Sequence, residues 1–376
     1  MLTLVYLRGF VNWLLKLRAM QSGSVWVKKF GALGVAWCLG VMVLAAHAEV
    51  QIKGAGASFP SRVYERWALR FAEQHQGVAL RYTPTGSGDG VKQIKARTVQ
   101  LGGTDNPLTP QQLSESKLIQ IPMLVGGLVP VVNVQGISAN QLVLSGEVLA
   151  ALMQGEIARW DDARIAALNP GMKLPAQTVT RIVREDASGS TEVWTRFLGQ
   201  ASARFAAVVP AGQKPAWPGR PLTAKGNDGV AALLKETPGG ISYVSYDRVL
   251  KDRLAGVKLR TPSGATVMAS EEAFRAAILS SDMYKKGEDT AGLLNAPRAD
   301  AWPLTATSYV LLDAAPQDMA TAEWVARFVY WCFMHGDELT RGTGFAPLPE
   351  RVQARLSGRL LQIHGPGGQV PKFIAP

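Results

Sequence analysis

The chain is short of the residues that perform covalent or metal chemistry. Only two of its 376 residues are cysteine (Cys38 and Cys332) and four are histidine (His47, His75, His335 and His364). No two histidines stand four positions apart and the cysteines are isolated, so the spacing of a transition-metal site is missing. A Gly-Lys pair occurs nowhere, which excludes the phosphate-cradling loop of nucleotide hydrolases, and no Gly-x-Ser-x-Gly elbow is present. No cofactor, metal ligand or catalytic residue is expected. Basic residues exceed acidic ones, 40 against 29. They are spread along the chain without interleaved aromatics, so no nucleic-acid partner is expected.

Acid is also absent from the first 48 residues, which carry five Lys or Arg. Lys28 and Lys29 precede a 17-residue apolar run at 30–46 and a small-x-small site at Ala46-His47-Ala48. This is the layout of a secretory signal cleaved after Ala48, and it predicts a periplasmic protein. Met20 would serve as an alternative start. Removal of the signal leaves 328 residues with 35 basic and 29 acidic groups, a net charge of +6. One cysteine, Cys332, remains, so no intramolecular disulfide can form. A chain of this length without a covalent brace is expected to fold as two lobes, each with its own core.

What the sequence does have is glycine and hydroxyl side chains in three clusters: Gly54-Ala-Gly-Ala-Ser-Phe-Pro60, Gly86-Ser-Gly-Asp-Gly-Val91 and Asp186-Ala-Ser-Gly-Ser-Thr191. Each precedes apolar residues at helical spacing: Val63, Trp67, Leu69 and Phe71; Val91, Ile94 and Val99; Val193, Trp194, Phe197 and Leu198. A helix start offers unpartnered N–H groups and about half a positive charge, and so attracts anions. One such start is ordinary; three in one fold could converge on a ligand.

Short β-like runs at 78–82, 119–122, 125–134, 179–183, 241–244 and 308–312 alternate with helix-like stretches at 141–153, 270–280 and 321–335. The alternation predicts α/β layers with mostly parallel sheets. The apolar run at 122–133 suits a strand that crosses between lobes, and 302–312 suits the return crossing. The glycine- and proline-rich end, 365–376, reads as a loosely held tail.

Two residues add charge to the anion hypothesis. Arg184 stands at the end of a β run, four residues before Ser188, where a guanidinium could grip an oxyanion while Asp186 orients it; a surface ion pair is the alternative. Asp105, in Leu101-Gly-Gly-Thr-Asp-Asn-Pro107, suits an anion site only if the ligand keeps a proton.

In these loops the sequence resembles the periplasmic phosphate-binding proteins that serve high-affinity phosphate ABC importers. The likeness extends through Asp105-Asn-Pro-Leu108, Ile121-Pro122, Trp160-Asp-Asp162, Leu168-Asn-Pro-Gly171, Lys225-Gly-Asn-Asp-Gly229, Gly240-Ile-Ser-Tyr243 and Ala301-Trp-Pro303. The resemblance implies an α/β fold of the type II periplasmic-binding-protein kind: two α/β lobes joined by two crossing strands, with the ligand in the cleft. The lobes would be 49–129 plus 305–376, and 130–304. It further implies that Ser58, Phe59 (through its backbone), Ser87, Ser188, Gly189 and Ser190 donate to phosphate. Arg184 would supply charge, Asp105 would accept the ligand's proton, and Asp186 would brace the arginine.

The partners implied are inorganic phosphate and a membrane permease/ATPase complex, with the protein itself a monomer. Phosphate can donate to Asp105 where sulfate cannot. Ser58 and Ser190 stand where the family commonly has threonine. Asp89 and Glu185 fall where it usually has small uncharged residues; Asp89 is expected as an outward-pointing helix cap and Glu185 to point away from the pocket. A secreted phosphatase on the same fold and a receptor for another oxyanion or phosphonate are the alternatives.

Overall fold

A computed structural model describes residues 49–373 of the chain. The export signal expected over 1–48, with its cleavage site after Ala48, lies outside the described residues.

The main sheet strands are β1 (Val50–Gly56), β2 (Val78–Thr83), β3 (Leu101–Thr104), β4 (Leu118–Asn133), β5 (Thr180–Arg184), β6 (Leu222–Ala224), β7 (Gly240–Ser245) and β8 (Thr305–Asp313). They lie in the order β2-β1-β3-β8-β4-β7-β5-β6, with Phe345–Pro347 and Ala255–Gly256 also paired to β4. The helices that matter for the site are α1 (Ser61–Gln74), α2 (Ser87–Lys95), α3 (Gly189–Ala201), α4 (Gly226–Lys235) and α5 (Met319–Thr340).

The sheet is mixed rather than mostly parallel. Both wings are parallel: β1 pairs with β2 and β3, and β5 with β6 and β7. The middle is antiparallel, because β4 leaves the first wing and β8 returns to it, and a strand and its return run in opposite senses. β4 is one continuous strand across both runs expected at 119–122 and 125–134. It pairs with β8 from Leu118 to Gly127 and with β7 from Leu128 to Asn133. At that change of partner the fully buried Trp302 donates its indole N–H to Leu128 O at 3.0 Å. The β8 register shifts between Ser308 and Tyr309, opposite Pro122. A proline has no N–H for the ladder, so a central strand accepts it at such a bulge.

Helix α1 buries Val63, Tyr64, Trp67 and Phe71 against α5, where the Phe71 ring stands 5.3 Å from Phe328 and 5.7 Å from Trp331. Leu69, counted in the apolar stripe from sequence, is 64% exposed. Val99 lies beyond α2, which ends at Lys95. The stretch expected as one helix at 141–153 divides into a strand, Val143–Ser145, and a helix, Gly146–Gln154, with the Ser145 hydroxyl accepting from Val148 N as the cap. The tail is docked rather than loose up to Phe373, which is buried and 5.5 Å from the Tyr330 ring, while Arg327 Nε donates to Lys372 O.

Candidate anion-binding site

All three glycine and hydroxyl clusters connect strand ends to helix starts. Ser58 and Phe59 lie between β1 and α1, and the Ala57 carbonyl there accepts from the buried Tyr82 hydroxyl at 2.9 Å. Phe59 is buried, its ring edge-on to Phe345 at 5.1 Å, which anchors the loop. Ser87 is the first residue of α2, behind the cap residue Gly86. Asp105 follows β3 directly. On the other wing Arg184 ends β5, and Ser188 caps α3 by accepting from Thr191 N at 3.1 Å. Gly189 and Ser190 form the first turn of α3.

The residues singled out from sequence fall into a partial network: hydrogen bonds join Ser87, Asp105 and Ser190 in one group and Arg184 and Asp186 in another, while Ser58, Phe59 and Ser188 contact other residues. Ser190 Oγ donates to Asp105 Oδ2 at 3.3 Å, and Asp105 N–H donates to Ser87 Oγ at 3.3 Å. Gly88 N–H donates to Ala187 O at 3.1 Å, and Ser58 Oγ accepts from the start of α4. Two glycines permit this approach. A Cβ on Gly189 would stand 2.4 Å from Ser87 Oγ and 2.8 Å from Asp105 Cβ. Gly86 has φ of 102° and a Cβ there would meet Asp186 Oδ2 at 2.6 Å. Such contacts are sterically prohibitive, and the second backbone conformation also disfavours other residues.

Charge is partitioned unevenly. Arg184 is buried and pairs with Asp186 through both Nε and Nη2, the first at 2.8 Å. The Gly226 N–H at the start of α4 adds a third donor to Asp186 at 2.9 Å. Burial alone would raise the Asp186 carboxyl; the Arg184 hydrogen bonds and charge outweigh it, with the Gly226 N–H, and hold it below the ordinary value. Asp105 goes the other way. Burial pushes it up to about 7, against the pull of the Arg184 charge and of the Ser190 and Ser308 hydroxyls. Its Oδ1 has no hydrogen-bond partner within the protein. A buried acceptor of that kind is costly unless a guest supplies a proton.

The two uncomfortable charges stand apart from this network. Glu185 is exposed, alternating with the buried Arg184. Asp89 is not the cap of α2, which is Gly86; it sits in the first turn, half-buried, accepting from Gln93 Nε2.

The family follows from comparison with known proteins. A model described as a PBP superfamily domain matches residues 44–334. The phosphate-binding protein PstS of Pasteurella multocida (strain Pm70) is 36% identical over 308 residues, spanning 82% of this chain and 89% of the relative. This chain belongs to the PstS phosphate-binding protein family. Another PstS, from Haemophilus influenzae, is 34% identical and spans 82% of this chain and 92% of its own. A high affinity periplasmic phosphate-binding protein, PfluDING, solved with bound phosphate, matches 82% of this chain with a TM-score of 0.66 at 20% identity, a likeness of fold. The two-lobed periplasmic-binding fold expected from sequence is thus the fold of the family.

Two polar residues escaped the sequence reading. Asn106 Nδ2 donates to Gly189 O at 2.9 Å, and Asn227 reaches Ser58 Oγ with both its backbone N–H and Nδ2. Each is a carboxamide inside a glycine- or proline-containing family motif, Asp105-Asn-Pro107 and Gly226-Asn-Asp-Gly229, and that company was the available signal.

Proposed function

We propose that the protein captures inorganic phosphate between its lobes and delivers it to an ABC importer, with Ser58, Phe59, Ser87, Asp105, Arg184, Asp186, Ser188, Gly189 and Ser190 as the binding residues. The lobes are 49–129 plus 305–376, and 130–304. The carrying observation is the pairing of a buried, braced guanidinium with a buried carboxyl whose Oδ1 is unpartnered and whose proton affinity is raised to about 7. Arg184 offers its remaining N–H groups to an oxyanion, while Asp105 takes a hydrogen bond from a proton that the guest must carry. Phosphate at neutral pH meets both demands; sulfate meets only the first.

Hydroxyls and helix-start N–H groups fill the rest of a tetrahedral guest's shell. We take the role as binding without turnover: His75 ends α1 against Phe71, His335 lies on α5 beside Trp331 and His364 follows 358–362, none of them in the loops that carry the site. We further assign export to the periplasm with cleavage after Ala48, and a monomeric state. No helix of the described residues is long and apolar enough to cross a membrane. The test is a thermal melt of dialysed protein with millimolar phosphate, sulfate or arsenate. Phosphate should raise the midpoint by mass action, by about 4 kcal/mol of stability at a thousandfold excess over Kd, and sulfate should not. An unmoved midpoint refutes the assignment.

A further inference from the structure

Ser58 and Asn227 meet across the cleft. Ser58 follows β1 and Asn227 is the second residue of α4, so the contact joins the two wings of the sheet. The backbone N–H of Asn227 donates to Ser58 Oγ at 3.3 Å and its Nδ2 donates to the same oxygen at 3.1 Å. The carboxamide is held in that sense from behind, because its Oδ1 accepts the Ser245 N–H at 3.0 Å, which only the oxygen can do. Asn227 is 2% exposed.

A serine hydroxyl has two lone pairs and one proton. With both lone pairs engaged by N–H groups, the capacity left to Ser58 is donation. We propose that Asn227 is a positioning residue of the anion site, which fixes the Ser58 hydroxyl as an obligate donor to the bound oxyanion, and does so only when the lobes are closed. This rests on the phosphate reading above. With the lobes apart, Ser58 loses both bonds and its O–H can turn in either sense. Closure supplies two donors at once and polarises the hydroxyl outward, so part of the site's donor set is created by closing.

The consequence is a fixed address for the ligand's proton. Ser58 must face an oxygen without hydrogen, while Asp105 must face one that carries it. The two residues thereby set not only the charge of the guest but its orientation in the cleft.

The test is calorimetric titration of phosphate into the dialysed protein and its Ser58→Ala, Asn227→Ala and doubly substituted variants. Each single change should weaken binding by about tenfold, the scale of one hydrogen bond, and the double variant should stay within about twofold of Ser58→Ala. Ser58→Thr, which keeps the hydroxyl, should restore both the affinity and the dependence on residue 227. Losses that simply multiply, or an Asn227→Ala variant that binds like the wild type, overturn the proposal. Asn227→Asp keeps the acceptor for Ser245 and guards against misfolding of the alanine variant. It should weaken binding more in the Ser58 protein than in the Ser58→Ala protein, and equal penalties in both also overturn it. A wild-type protein that binds no phosphate removes the phosphate reading and this inference with it. Phosphate binding by the wild type with an additive cycle removes this inference alone.

Discussion

The two walls of the cleft use the same kinds of donor, but their carboxylates behave oppositely. On the wall of β5 and α3, Asp186 accepts two bonds from Arg184 and one from Gly226 N, and is held ionised. On the wall of β1, β2 and β3, Asp105 receives one long bond from Ser190 and is pushed up to about 7 by burial. Burial and partnering together decide the difference: Asp105 is buried with one long bond, whereas Asp186 is less buried and holds three donors. On the proposed reading one wall supplies the counter-charge and the other a demand for a proton, and it is the second that separates phosphate from sulfate.

The largest effect should come from removing the cation. Arg184→Ala should weaken phosphate binding by about 2–5 kcal/mol, because it leaves the half-buried Asp186 without its main partner as well as stripping the guest of its counter-charge. Calorimetry showing unchanged affinity would take Arg184 out of the site.

Gly189→Ala tests whether the walls must touch. Its Cβ would collide with Ser87 and Asp105, so binding should fall by about 1–3 kcal/mol, as an overpacked contact does. Solution scattering should show the phosphate-saturated variant more open than wild type; identical closure would mean that the walls can separate without loss.

Asp105→Asn sharpens the comparison through both selectivity and pH. The phosphate-to-sulfate affinity ratio should shrink by about 1–3 kcal/mol, and an unaltered ratio would refute the proton-acceptor role. In the ligand-free protein the raised carboxyl binds a proton, from about pH 4 to pH 7, that the unfolded chain has released. Its contribution to stability is therefore complete below about pH 4 and lost as pH rises through 7. Asp105→Asn removes that loss, so its melting midpoint should exceed wild type at pH 8 by on the order of several degrees, with the gap narrowing as pH falls towards about 4. Parallel melting curves would contradict the assignment. The smallest effect is expected from Glu185→Gln: the residue is exposed, its charge is screened by solvent, and phosphate affinity should change by less than about twofold.

Much of the site was legible because its parts are local. A glycine-hydroxyl cluster before apolar helical spacing predicts a helix start: α1 begins just beyond its cluster, and α2 and α3 begin within theirs. The strands expected at 78–82, 241–244 and 308–312 lie inside observed ones for the same reason, and that at 179–183 is offset by one residue from Thr180–Arg184. Helix and strand competed at 141–153, where Ser145 ends a short strand and caps a helix, a change of state that periodicity over the whole window conceals. Cross-cleft partners were not legible. Asn106 and Asn227 stand inside motifs that carry the family resemblance, yet nothing local says that one meets Gly189 and the other Ser58.

By itself the sequence determined which segments could hold an anion, since N–H groups at a helix start, hydroxyls and a guanidinium are properties of local chain. It also ruled out disulfide bracing of the chain beyond residue 48, through the single cysteine there. Only the tertiary structure decided that β4 and β8 bring those segments face to face, that Asp105 is dry enough to hold a proton near neutrality, and that Ser58 has no lone pair left. Burial and hydrogen-bond saturation depend on what the rest of the chain places around a group, and that is set when distant strands pair.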